Sequence, residues 1–201
     1  MSNTDDESAD RIRADLARLQ AAGGTSLDEM ARMAANPALD GSLRSLAIWA
    51  LGRQKTDKAR RPLIAALADP DISLRGEAAR SLGVLVARRA AGRLIQVMRG
   101  DPDASVRMFA AHALGSLCGP KGVSALREVL ANQGEEAKVR GEAAEVRFWS
   151  AYALGHMKAE SALAALESLA ASDHALVPGW WSVAREAADS IEIIRSDPWE
   201  T

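Results

Sequence analysis

Cysteine is nearly missing from this chain: Cys118 is the only one in 201 residues. A lone thiol cannot close an internal disulfide, so a packed core must hold the fold, and a reduced, cytoplasmic setting is expected. Aromatic residues are also scarce, at 4%, which disfavours sheets and suits close packing of Ala- and Leu-rich helices. No apolar run is long enough to span a bilayer, and the acidic start MSNTDDESAD is followed by no signal-peptide core. No membrane partner is therefore expected, and residues 1–7 read as a disordered acidic tail. The three histidines, His112, His156 and His174, have no metal-ligand spacing with one another or with Cys118. Phosphate-binding loops, dinucleotide fingerprints and nucleophile elbows are lacking too. No catalytic residue, metal ligand or cofactor is assigned, and an enzyme reading is disfavoured.

What the chain does have is a repeat. Four segments align without gaps: LRSLAIWALG (43–52), LRGEAARSLG (74–83), VRMFAAHALG (106–115) and VRFWSAYALG (146–155). Each closes on Leu-Gly, and a leucine follows each glycine at +11, at Leu63, Leu94, Leu126 and Leu166. Each unit reads as two helices. The first ends at the glycine, which can take a left-handed C-cap, and the second carries apolar residues four apart. Asp-Pro at 69–70 and 101–102 breaks the chain before the next unit. A single helical pair cannot bury its apolar stripe, so successive pairs are expected to stack.

The pattern DPDxxVRxxAAxALG resembles HEAT repeats, especially the short bacterial type that also occurs in phycobilin lyases; the likeness covers about residues 40–171. It implies an all-α, right-handed α-solenoid of about five helical hairpins with a C-terminal capping helix. The expected organisation is one domain over 8–201. A degenerate repeat occupies 8–36, with Ser26 as an N-cap, and repeats follow at 40–68, 72–100, 103–131 and 137–171. The segment 178–195 should cap the array, with Trp180 to Ile194 as one amphipathic helix. The third-to-fourth spacing is longer than the others, which places extra residues within 131–145.

Two sets of residues exceed what such an array needs. At −7, −6 and −3 from the repeat glycines stand Trp49 in the first clear repeat, Met108, Phe109 and His112 in the third, and Phe148, Trp149 and Tyr152 in the fourth. These positions share a helix face, and an aromatic ridge there suits a protein partner. Internal burial is the alternative, with the 131–145 insertion or the Trp180–Trp181 helix folding across Phe148 and Trp149 and the N-terminal pair covering Trp49. By contrast Arg44, Arg75, Arg107 and Arg147 recur at −8 in every repeat, which argues for a structural role between repeats.

The second set is basic. Residues 41–127 carry a charge of +9 although the whole chain is −2. Lys58, Arg89 and Lys121 lie at +6 from their glycines, with Arg61 and Arg93 on the same second helices. In HEAT-like arrays these helices line the concave side, and a basic strip there can track phosphates, as in HEAT-like alkylpurine DNA glycosylases. The aromatics that would stack on single-stranded bases are missing from these helices, so nucleic acid ranks below protein as a partner. The resemblance to phycobilin lyases leaves a third possibility, an enzyme acting on a chromophore or small ligand. The repeated His-Glu pairs of HEAT-type deoxyhypusine hydroxylases do not occur: the matching spots read Gly76-Glu77 and Gly141-Glu142.

Overall fold

The computed structural model describes residues 14, 17–21, 26–131 and 144–196. Residues 14 and 17–21 are helical, and ten α-helices follow them: α1 (Leu27–Ala35), α2 (Gly41–Gly52), α3 (Arg60–Ala66), α4 (Ile72–Val84), α5 (Ala91–Gly100), α6 (Ala104–Leu117), α7 (Pro120–Ala131), α8 (Ala144–His156), α9 (Leu163–Ser172) and α10 (Val183–Arg195). Short 3-10 turns at Asp57–Ala59, Arg88–Ala90 and Glu160–Ala162 lead into α3, α5 and α9. The class is all-α, as the residue pattern implies. The tail 1–7 and most of the 131–145 insertion lie outside the described residues.

The chain divides into two compact units between Leu85 and Val86, inside the repeat read at 72–100. In the first unit α2 packs beside α4, while α1 and α3 form a second layer against them. In the second unit α6, α8 and α10 make one layer and α5, α7 and α9 the other. Helix α10 thus occupies the place of a first helix in a further repeat. Arg185, Glu192 and Arg195 on this helix are exposed.

The turns between pairs follow from their Asp residues. Asp71 and Asp103 cap α4 and α6, accepting from the backbone N–H of Ser73 and Ser105 at 2.7 and 2.9 Å. Two residues earlier, Asp69 and Asp101 accept from the N–H groups of Asp71 and Asp103, both at 3.0 Å. An Asp-Pro-Asp run therefore stops one helix, turns the chain and starts the next. Ser26 makes the expected cap of α1, a reciprocal box with Glu29.

The arginines at −8 lace these turns to the helices. Arg75 donates to the carbonyls of Asp69 and Pro70 at 3.0 and 3.2 Å, and Arg107 to those of Asp101 and Pro102 at 2.8 and 3.2 Å. Arg44 donates to the Ala34 carbonyl and pairs with Asp69, and Arg147 pairs with Asp173 at 2.5 Å. Arg44, Arg75 and Arg107 are themselves buried, so their guanidinium groups need these acceptors.

The repeat glycines work differently from the sequence expectation. None is a left-handed cap: Gly83, Gly115 and Gly155 lie inside their helices, and left-handed backbone comes three residues later, at Val86, Cys118 and Lys158. The glycines instead let first helices touch. A Cβ on Gly52 would stand 2.7 Å from Ser81 Cβ, one on Gly115 2.8 Å from Ala153 Cβ, and one on Gly155 2.6 Å from Ser190 Oγ. The partner residue is small in each case and sits on the next helix of the same layer.

Candidate binding surface

The aromatic residues of the second unit come together. Tyr152 lies one helical turn beyond Phe148 on α8, with Trp149 beside it, and His112 on α6 faces them across the helix pair. The His112 ring meets Trp149 edge-on at 4.8 Å and stacks with Tyr152 at 6.0 Å. Trp149 and Tyr152 are 5.2 Å apart, and Tyr152 continues to His156 at 4.2 Å. These are ordinary separations for interacting rings.

The chain between α9 and α10 completes the cluster. Pro178 and Gly179 form a tight turn closed by Trp180 N–H to the Val177 carbonyl at 2.9 Å, and Gly179 takes φ +79°. The flanks pair through Val177 N–H to the Trp181 carbonyl and Val183 N–H to that of Ala175. Trp180 and Trp181 thus belong to a hairpin-like loop rather than to a helix, which begins only at Val183 behind its Ser182 cap. The loop sets Trp180 5.8 Å from Phe148 and 5.3 Å from Trp149, and Trp181 6.0 Å from Phe148.

This packing removes one residue from the expected ridge. Phe148 is fully buried, because its face of α8 is roofed by the Trp180–Trp181 loop. Met108, Phe109, His112, Trp149 and Tyr152 are half-buried, while Trp180 remains 50% exposed and Leu176, on the same loop, 77%. Trp49 lies in the first unit, also half-buried, with the Arg53 guanidinium 3.8 Å over its ring.

A buried carboxyl anchors the loop. Trp181 Nε1–H donates to Glu186 Oε2 at 3.0 Å, and the Ser190 hydroxyl lies 3.5 Å from Glu186 Oε1 while donating to the Ala151 carbonyl at 3.0 Å. Burial pushes the Glu186 carboxyl above the ordinary carboxylate range, partly opposed by the bond from Trp181. Nothing in the repeat register marks Trp180, Trp181 or Glu186, because they follow the last aligned unit. The run Pro-Gly-Trp-Trp was the available signal, since Pro and Gly in succession favour a turn over a helix start.

All five candidate anion-binding residues, Lys58, Arg61, Arg89, Arg93 and Lys121, are exposed. The +6 residues stand at the starts of second helices: Lys58 and Arg89 in 3-10 turns and Lys121 in the first turn of α7. Arg93 donates to Gln96 at 2.5 Å. Other basic groups nearby are already paired, Arg60 with Asp57 and Arg99 with Glu128. Among the described residues no His, Cys, Asp and Glu group could hold a metal ion, and no helix is long and apolar enough to cross a membrane.

Comparison with known families agrees with the helical pairs. Residues 60–145 match HEAT repeats, and residues 43–69 and 146–172 match the PBS lyase HEAT-like repeat. This is a HEAT-repeat protein. It is similar to a chain in the complex of CpcE and CpcF of phycocyanin lyase from Nostoc sp. PCC7120, with 27% identity and a TM-score of 0.67. That match covers 86% of this chain and 66% of the Nostoc chain, so this HEAT-repeat protein spans just under two thirds of its relative. An engineered protein shares the fold at 22% identity and a TM-score of 0.50, over 92% of this chain and 84% of its own. No curated protein sequence matches.

Proposed function

We propose that this HEAT-repeat protein is a non-catalytic scaffold or adaptor that docks a protein partner on the aromatic face of its second unit. The observation that carries the reading is the Trp180 ring, half-exposed at the edge of an interlocked cluster with Trp149, Tyr152 and His112. Aromatics already fixed by their neighbours lose little entropy on binding, which suits them as anchors. Phe109 and Met108, half-buried on α6, extend the face, and Trp49 would serve a separate contact on the first unit. A cytoplasmic location goes with this role. The similar Nostoc chain is part of a two-protein complex, which also supports a protein partner.

The test is capture from native lysate by the full chain and by Trp180→Ser with Phe109→Ala. Loss of a specific co-purifying protein, with the helical melting curve retained, supports the face as interface. Undiminished capture removes it. A second reading, action on a chromophore or small ligand as a lyase component, is favoured by the phycocyanin-lyase likeness. A visible absorbance copurifying from the native host would move the assignment there. For nucleic acid or an acidic partner on Lys58, Arg61, Arg89, Arg93 and Lys121, affinity must fall steeply with salt.

A further inference from the structure

The turn between α6 and α7 builds a cavity that the aromatic face does not use. Helix α6 ends when Cys118 takes a left-handed conformation, φ +41°, and its N–H closes on the Gly115 carbonyl at 3.4 Å. The chain reverses through Gly119 into Pro120, the first residue of α7. Glycine at 119 and 122 leaves room here: a Cβ at 119 would meet nothing within 4 Å, and one at 122 only Leu114 at 3.8 Å. The result is a pocket of about 400 Å³, entirely within the second unit. That is within the range of small-ligand sites.

The pocket has two kinds of wall. Its inner side is carbon, with Leu114 and Leu117 buried beneath it and Ala91 and Pro120 at its sides. Its rim carries two cations, Arg88 from the 3-10 turn before α5 and Lys121 from the first turn of α7. The N-terminal end of α7 adds partial positive charge at the same place. No carboxylate is among the described residues that line it. Burying an apolar floor beside unopposed positive charge favours a ligand with an apolar body and one anionic end.

We propose that this pocket binds a small amphipathic carboxylate, its chain against Leu114 and Leu117 and its carboxylate between Arg88 and Lys121. A bare inorganic anion would leave the apolar floor unfilled, and a neutral alcohol would leave the cations unused. The site stands apart from the aromatic face and is independent of the partner proposed there.

Cys118, on the rim and exposed, supplies a native reporter, since a molecule in the pocket shields its thiol. The experiment measures the rate of Cys118 alkylation by iodoacetamide in the full chain, with and without octanoate, octan-1-ol or octylamine. Octanoate slows alkylation saturably, while the alcohol and the amine do so only at far higher concentration. In Arg88→Ala and in Lys121→Ala, the octanoate concentration giving half-protection rises about tenfold, the factor expected for one charge-assisted contact. Each variant is compared with its own unliganded rate, so a changed intrinsic reactivity of the thiol cancels. Both residues are exposed, and an unchanged melting curve confirms folding. Ala91→Leu, which fills the cavity, abolishes protection while keeping both cations. No protection by octanoate overturns the proposal, as does equal protection by octylamine or unchanged half-protection in both cation variants.

Discussion

Replacing Gly155 by alanine separates two readings of the repeat glycine. If helix propensity governed the position, Gly155→Ala would stabilise the protein by up to about 1 kcal/mol. The geometry predicts the opposite. The new Cβ would lie 2.6 Å from Ser190 Oγ, 2.8 Å from Ser190 Cβ and 2.9 Å from Ser190 Cα, so backbone as well as side chain blocks it. Rotation of the hydroxyl cannot relieve the contact, and α8 and α10 must move apart. The shift would also disturb the Ser190 bond to the Ala151 carbonyl, 3.0 Å long and buried. Overpacking of this kind costs roughly 1–3 kcal/mol, and near its upper end when backbone is involved. The net loss is then about 2 kcal/mol, or roughly 4–8 °C in melting temperature for a chain of this size. Gly92→Ala is the control, because a Cβ there meets nothing within 4 Å, and it should raise the melting temperature slightly. Thermal unfolding followed by circular dichroism reads both, and Gly155→Ala in a Ser190→Gly background should cost distinctly less than in the parent. A Gly155→Ala variant that melts at or above the parent, or whose cost is the same in both backgrounds, would refute the close-approach reading.

Other outcomes follow from the same packing. Protonation favours the folded state at Glu186, since its folded carboxyl titrates above the unfolded one. That contribution is full below the ordinary carboxylate range and is lost as pH rises through the raised folded value. Glu186→Gln should therefore stabilise the protein near neutral pH, and the gain should shrink as pH falls below the raised folded value, steepening the acid limb of melting temperature against pH; a gain that is the same at acid and neutral pH would count against it. Arg147→Ala leaves Asp173 half-buried beside an unfilled turn, and a loss of roughly 2–3 kcal/mol is expected in denaturant unfolding. Asp103→Ala removes the cap of α6, with bonds to Ser105 and Val106, and should cost about 1 kcal/mol in the same assay. Val86, β-branched at φ +52°, pays a steric penalty there, so Val86→Gly should raise the melting midpoint by the equivalent of about 1 kcal/mol.

The repeat register alone determined a good deal about this protein. Leucine at +11, small residues at −5 and −2 and arginine at −8 are local, periodic features, and helical geometry converts them directly into paired helices. That is why the all-α class and the HEAT type were legible, and why the structural arginines could be set apart from candidate sites. The glycine was legible only as something required. A C-cap and a close helix approach call for the same residue, and choosing between them needs the neighbouring helix, here Ser81, Ala153 or Ser190.

The tertiary structure alone decided the surface. Whether Phe148 or Trp149 faces water depends on a loop some thirty residues later, which no periodicity on α8 encodes. The Pro178-Gly179 turn carries Trp180 and Trp181 back over α8, burying Phe148 and leaving Trp180 half-exposed. The cavity beside Cys118 is likewise a product of packing, since Arg88 and Lys121 are 33 positions apart in sequence and share a rim only in the fold. Local spacing sets which face of a helix a residue occupies; which segment comes to cover that face is set by the chain's long-range contacts.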